Sequence, residues 1–172
     1  MERDQVDFIL TQWEQARPDL DSSPMGIIGR ISRLSRFIDQ HLKKNFTKYG
    51  LQRGEFDVLA TLRRAGEPFQ LTPTDLFKSL MLTSGAMTNR LDRLESRGYI
   101  ERLPDPNDRR GTLVQLTPRG LEIINEALEA HVKLEHSLIA ALSTTEKEEM
   151  SQLLRKLLIS FENNTVKRYR KK

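Results

Sequence analysis

Residues 71–120 read LTPTDLFKSLMLTSGAMTNRLDRLESRGYIERLPDPNDRRGTLVQLTPRG, and this stretch decides the fold. Thr72 followed by Pro73 marks a helix start, because the hydroxyl can accept from a free first-turn amide and proline at the first helical position gives up no needed donor. Asp75 completes the cap. Leu76, Phe77 and Leu80 supply a short apolar face, and after Met81-Leu82 a second start falls at Thr83 or Ser84. This second helix is expected from about Ser84 to Arg97. It carries Met87, Leu91 and Leu94 at helical spacing, while Ser84, Thr88, Asn89, Arg93 and Arg97 are polar, and Gly98 can end it in the left-handed conformation.

Beyond that glycine the period changes from helix to strand. Tyr99-Ile100-Glu101-Arg102-Leu103 and Thr112-Leu113-Val114-Gln115-Leu116 alternate apolar with polar residues, and the intervening PDPNDRRG is rich in turn formers. The expectation is a hairpin with Arg109 and Arg110 at its tip. A close helix pair followed by an arginine-tipped wing suits a protein whose second helix enters a DNA major groove while the wing reaches the minor groove. The DNA-facing set is then Ser84, Thr88, Asn89, Arg93, Arg97, Arg109 and Arg110, and the partner is double-stranded DNA. A winged-helix module that mediates protein contacts alone is the competing class; it would show no salt-dependent DNA binding.

Working outward, residues 4–17 form an amphipathic pattern with Val6, Ile9, Leu10 and Trp13 on one side, limited by Pro18. Pro24 opens a longer helix in which Ile27, Ile31, Leu34, Ile38 and Leu42 recur at three- and four-residue steps as far as about Lys48. Phe56, Leu59, Ala60 and Leu62 predict a helix over about Arg53–Ala65, closed by Gly66 and Pro68. Phe69-Gln70-Leu71 is short, although a strand paired with the wing would fit. After Thr117-Pro118 a long helix is expected to about Leu142. Ser143 and Glu146 then make a capping box for a final helix with Met150, Leu153, Leu154, Leu157, Leu158 and Phe161 on a wide apolar face. Such a face is buried either within the monomer or against a second subunit, and the second subunit is the natural partner here.

The 172 residues suit one domain with extensions, 37% hydrophobic and 30% charged, as in a helix-rich soluble protein. No apolar run approaches a membrane span, and MERDQVDF does not resemble a secretion signal, so a cytoplasmic location is the expectation. With no cysteine, disulfides, thiolate zinc sites and thiol-based oxidant sensing are excluded. Net charge is +4, yet KRYRKK at the end holds five of the positive charges and leaves the remainder at −1. Positive groups must therefore be gathered on one surface if the body is to bind DNA. The tail is either an arm touching phosphates or a solubilising end.

Enzyme chemistry finds no support. There is no phosphate-binding glycine loop and no serine in a nucleophile elbow. His41, His131 and His136 are scattered; the last two are five apart, off a shared helix face, and read as surface or interface side chains rather than metal ligands. No metal and no cofactor is expected.

The wing, Asp108-Arg109-Arg110-Gly111 running through Thr117-Pro118-Arg119-Gly120, resembles that of the MarR-type winged helix-turn-helix regulators. The resemblance extends over nearly the whole chain. Its N-terminal part is similar to the urate-responsive, PecS-type branch, in which an extra helix bears a tryptophan and is followed by a motif like Arg17-Pro18-Asp19-Leu20-Asp21 and then Pro24-Met25. The resemblance implies that Trp13, Asp57, Arg90 and Arg102 bind ligand. Taken as residues alone, Trp13 suits a packing or interface anchor better than a ligand contact, and Asp57 equally suits an ion pair with Arg90 or Arg102.

The fold expected is mainly α with a small β-wing. Residues 1–50 would form N-terminal helices for ligand and dimer contacts, 51–120 the winged helix-turn-helix lobe, and 121–172 the C-terminal dimerisation helices and basic tail. The resemblance implies a homodimeric regulator, usually a repressor, that binds a palindromic operator and is released by an anionic aromatic effector such as urate. The alternative is the same fold responding to another phenolic or drug-like compound and controlling an efflux gene.

Overall fold

The computed structural model describes residues 2–80 and 84–169, with side chains described for all of these except 84–87, 109 and 164–169. Met81, Leu82, Thr83, the side chains of Ser84, Met87 and Arg109, and the end of the basic tail therefore lie outside the described residues. The elements in order are α1 (Gln5–Ala16), α2 (Ser23–Lys48), α3 (Arg53–Arg64), β1 (Gln70–Leu71), α4 (Pro73–Leu80), α5 (Ser84–Ser96), β2 (Ile100–Asp105), β3 (Asp108–Leu116), α6 (Pro118–Leu138) and α7 (Thr144–Tyr169). The architecture is mainly helical with a three-stranded antiparallel sheet ordered β1-β3-β2.

Two compact units are present, residues 1–131 and 132–172. In the first, α1 and α2 share a unit with the helix-turn-helix and wing. Its core gathers Phe46 from α2, Phe56, Leu59 and Leu62 from α3, Leu76 from α4, Leu91 and Leu94 from α5, Ile100 and Val114 from the sheet, and Ile124 and Ala127 from α6. Phe46 and Phe56 stack with ring centroids 4.5 Å apart. The second unit contains α7, which starts with the expected capping box: Ser143 N–H donates to Glu146 Oε2 at 2.8 Å, and Glu146 N–H donates to Ser143 Oγ at 3.3 Å.

Local chemistry sets the boundaries. Thr72 Oγ1 accepts from Asp75 N–H at 3.1 Å and donates to the Asp75 carboxylate at 2.7 Å, so the cap and Pro73 fix the start of α4. Gly98, with φ of 68°, turns the chain out of α5 and into the sheet. The two residues of β1 pair with β3, Gln70 opposite Gln115 and Leu71 opposite Val114.

The wing departs from expectation. The strands run to Asp105 and resume at Asp108, so Arg109 and Arg110 begin β3 rather than crown a loop. The Asp105 carboxylate accepts from Asn107 N–H at 2.8 Å and the Asp108 carboxylate from Arg110 N–H at 2.9 Å. These side chains satisfy the amides of a tight turn and allow the ladder to continue further than the composition of the segment suggests. α6 also ends four residues earlier than expected, at Leu138.

The wing meets α6 through Thr117, whose hydroxyl donates to Gly98 O at 2.7 Å and accepts from Gly120 N–H at 3.0 Å. A methyl group at Gly120 would stand 1.8 Å from Tyr99 O, a backbone atom that cannot swing aside. Gly120→Ala is therefore expected to destabilise the fold by about 3 kcal/mol, the upper end for overpacking. Urea unfolding followed by circular dichroism measures this, and a midpoint equal to the parent's would show that α6 and the wing can separate freely.

Candidate nucleic-acid interface and effector site

Two arginines of α5, Arg90 and Arg93, and Arg97 in the turn just past its end recur at steps of three and four. All three are drawn toward the first turn of α3. The Glu55 carboxylate is buried, with 1% of its surface exposed. Its Oε2 accepts from Gln52 N–H at 2.8 Å, closing the capping box of α3, and lies 3.6 Å from Arg97 Nη1. Arg93 Nε approaches Oε1 at 3.0 Å as an ion pair, and Arg93 Nη1 donates to Gln52 Oε1 at 3.3 Å. Arg97 also donates to Gly50 O at 2.8 Å and lies over the Tyr99 ring at 4.8 Å. Arg119 also stands 5.2 Å from the Tyr99 centroid and donates to Arg97 O at 3.2 Å.

Arg90 lies over Gly54, where a Cβ would come within 2.3 Å of its Cζ. Glycine at the second position of a helix is otherwise a poor choice; here it makes room for a guanidinium. The Arg90 Nη1 atom is buried without a hydrogen-bond partner. Asp57, one turn beyond Gly54 on α3, is half-buried, and burial pushes its carboxyl above the ordinary range; Arg53, Arg90, His131 and Arg64 pull it the other way. His131 is packed into the unit, its ring 4.8 Å from Phe56 and 5.5 Å from Phe46. It is thus an aromatic neighbour of Asp57 rather than the surface or interface side chain expected.

The residues implied as ligand-binding therefore fall into three places. Asp57 and Arg90 are brought together, although no ion pair closes between them. Arg102 is engaged elsewhere, 2.6 Å from Asp92 and 2.5 Å from Glu95, so the Asp57–Arg102 pair considered from the sequence does not form. Trp13 stands 39% exposed on α1, which packs along α2, and no ring contact or hydrogen bond joins it to Asp57, Arg90 or Arg102. Of the DNA-facing set, Thr88, Asn89 and Arg110 are exposed and the Arg93 side chain is 48% exposed, while Arg97 is committed mainly to holding α5 in place. Ser84 and Arg109 fall among the side chains outside the description. Sequence reasoning passed over Gly54 and Glu55; the signals were the Gln52-x-x-Glu55 capping spacing and an unexplained helical glycine. No group of acidic or histidine side chains suited to a metal occurs among the described residues, and no described helix is long and apolar enough to cross a membrane.

The model of the MarR family matches residues 51–112. Over 160 residues, 93% of this chain and 96% of the other, the sequence is 42% identical to the HTH-type transcriptional regulator PecS of Dickeya dadantii. The chain belongs to the MarR family. It is 38% identical over 121 residues to the multiple antibiotic resistance protein MarR of Salmonella typhimurium, covering 70% of this chain and 82% of that one. A cysteine-to-serine mutant of MarR from E. coli, complexed with operator DNA, matches with a TM-score of 0.68 at 32% identity over 85% of this chain and 97% of that one. AbsC from Streptomyces coelicolor, a MarR family transcriptional regulator, shares the fold, with a TM-score of 0.76 at 21% identity over 84% of this chain and 97% of that one. The protein is a DNA-binding transcriptional regulator of the MarR family and not an enzyme.

The raised carboxyl of Asp57 has a consequence for stability. Folding favours its protonated form, so in the interval above the ordinary carboxylate value the native state holds more proton than the unfolded chain, and stability falls as pH rises through it. Asp57→Asn removes this penalty. The variant's advantage over the parent should be absent at the acid end and grow to a plateau in unfolding experiments between about pH 4 and pH 7. A pH-independent difference would show that Arg90 offsets the burial fully.

Proposed function

We propose that this MarR-family regulator represses its target by binding a palindromic operator as a homodimer, and that an anionic aromatic effector such as urate releases it. The observation that carries the effector reading is the meeting of Asp57 with Arg90: a half-buried carboxyl penalised by burial, beside a guanidinium with a buried, unsatisfied nitrogen, on the helix that reads DNA. A planar anion supplies acceptors for that nitrogen and repels the charged form of Asp57. Because Arg90 belongs to α5, its displacement alters the groove-reading surface directly. A coupling of about 1–3 kcal/mol lowers DNA affinity roughly 5- to 150-fold, and DNA must weaken effector binding by the same factor. The PecS-like N-terminal segment supports urate as the ligand and Trp13 as a stacking surface. In this reading Arg102 acts through its carboxylate partners on α5.

Urate titrated into the protein is expected to quench Trp13 fluorescence and to shift a gel-retarded DNA complex toward free DNA; Trp13→Phe should weaken urate while sparing DNA affinity. If salicylate or another phenol acts and urate does not, the effector assignment fails while the site stands. If no anion changes either signal, the effector reading is wrong altogether.

The homodimer is supported by the apolar face of α7, where Leu153, Leu154, Leu157, Leu158 and Phe161 are all exposed in the single chain. Two recognition helices then meet major-groove faces about 34 Å apart, one helical turn of DNA. Replacing both Leu154 and Leu158 with Asp should give monomers in sedimentation at the parent's dimer concentration. Intact dimers would remove α7 from the interface.

A further inference from the structure

We propose that Glu55 is a positioning residue for DNA recognition, a buried carboxylate that sets the rotation and axial position of α5 by holding Arg93 and Arg97 at once. One contact to a helix leaves a pivot; two contacts a turn apart leave a register. Arg93 lies in the last turn of α5 and Arg97 immediately past its end, four residues on, so their attachment points are about 6 Å apart along the direction of the helix. The two carboxylate oxygens divide them, Oε1 toward Arg93 at 3.0 Å and Oε2 toward Arg97 at 3.6 Å. The carboxylate cannot wander: it is 1% exposed and tied to the backbone of its own helix cap through Gln52 N–H.

The position of Glu55 determines what the DNA meets. Asn89 lies one turn before Arg93 on the same side of α5 and is exposed, so the angle at which its amide is offered to a base edge follows the angle at which Arg93 is held. Arg93, half exposed and paired with an acid, is balanced between two anions. A phosphate arriving from solvent competes with Glu55 for the same guanidinium. Glu55 thereby keeps Arg93 from gripping any phosphate that approaches and reserves it for a duplex that also satisfies the remainder of α5. The outcome is selectivity, produced by a side chain that does not touch DNA.

Glu55→Gln tests this, because the amide keeps the length of the side chain and can still accept from Gln52 N–H while the charge is lost. Binding is measured on the full-length protein with a duplex selected by the parent from random sequence and with a scrambled duplex of the same length, across a salt series. The variant is expected to keep the parent's circular dichroism, and to lose affinity for the selected duplex so that the ratio of selected to scrambled falls about tenfold, the scale of one spoiled base pair. The salt slope should stay the same or steepen, since no phosphate contact is removed and Arg93 is freed to make one. An unchanged ratio overturns the proposal, as does a reduced slope, which would mark a lost phosphate contact rather than a lost register. Should Glu55→Gln fail to fold, Arg97→Gln leaves the cap and the Arg93 pair in place; it is expected to lower the ratio with its slope kept, and an unchanged ratio there is equally decisive. In the double variant the loss should not exceed the larger single loss, whereas additive losses mean the two residues act separately.

Discussion

The junction of α3 with α5 is an electrostatic contact whose size depends on burial. An exposed pair such as Arg17–Asp19 is held by solvated charges and contributes little. Glu55 is different, because a carboxylate without water must have cations beside it, and Arg93 and Arg97 supply them. The requirement runs in one direction: Glu55 needs the arginines more than they need it, since Arg93 still faces solvent. α5 is therefore the element that conforms, drawn to a fixed acid on a helix whose own side is packed by Phe56, Leu59 and Leu62. The recognition helix is seated on the core by Leu91 and Leu94, and Glu55 adds a charged anchor beside them.

Gly54 and Asp57 extend the same contact to its second side. With any side chain at 54 the Arg90 guanidinium could not lie where it does, and Arg90 would be displaced from α3. In that place it is near an acid that burial disfavours, and its own Nη1 is unsatisfied. Both members of the pair are imperfectly served by the protein, in contrast to Arg102, which has two carboxylates. Buried polar groups left short of partners are where a ligand can gain most, because it repays a cost the fold has already met. The same helix turn thus contains a buried carboxylate at Glu55, held by two arginines although its Oε1 lacks a hydrogen bond, and a half-buried one at Asp57 that closes no ion pair.

Most of the outline was legible in the sequence because it depends on local chemistry. Thr72-Pro73, Ser143 with Glu146, and Gly98 mark helix ends through hydrogen bonds or dihedral angles that span three or four residues, and all three act as read. The alternation about the wing likewise placed both strands, and Gln70-Leu71 pairs with β3. The wing turn was misjudged because PDPNDRRG was weighed by composition, whereas Asp105 and Asp108 spend their side chains on particular amides. The arginines were harder. A polar position on α5 can face DNA or face α3, and local pattern does not separate the two; only the tertiary position of Glu55 does. His131 illustrates the same limit, since its place between Phe56 and Asp57 depends on how α6 crosses α2 and α3 and on nothing adjacent in the chain.

α1 is held on different terms from the rest of its unit, and these terms bear on the proposed assembly. Val6 is its single buried residue. It enters a shallow groove where Gly29 offers no side chain, with Leu10 beside Gly26 in the same way. Arg30 then clamps the N-terminus of the helix, 2.8 Å from Asp4 and 2.7 Å from Asp7, the two residues that form its capping box. A 12-residue helix is marginal alone, and one buried valine with an exposed ionic clamp adds modestly to it. Yet Phe8, Ile9 and Trp13 on α1 and Ile27, Ile28, Leu34 and Phe37 on α2 all remain exposed in the single chain. So much apolar surface beside so weakly anchored a helix is uncommon in a protein that works alone. A second copy covering that surface would bury what α1 cannot bury by itself and hold Trp13 more firmly than Val6 and the Arg30 clamp do alone.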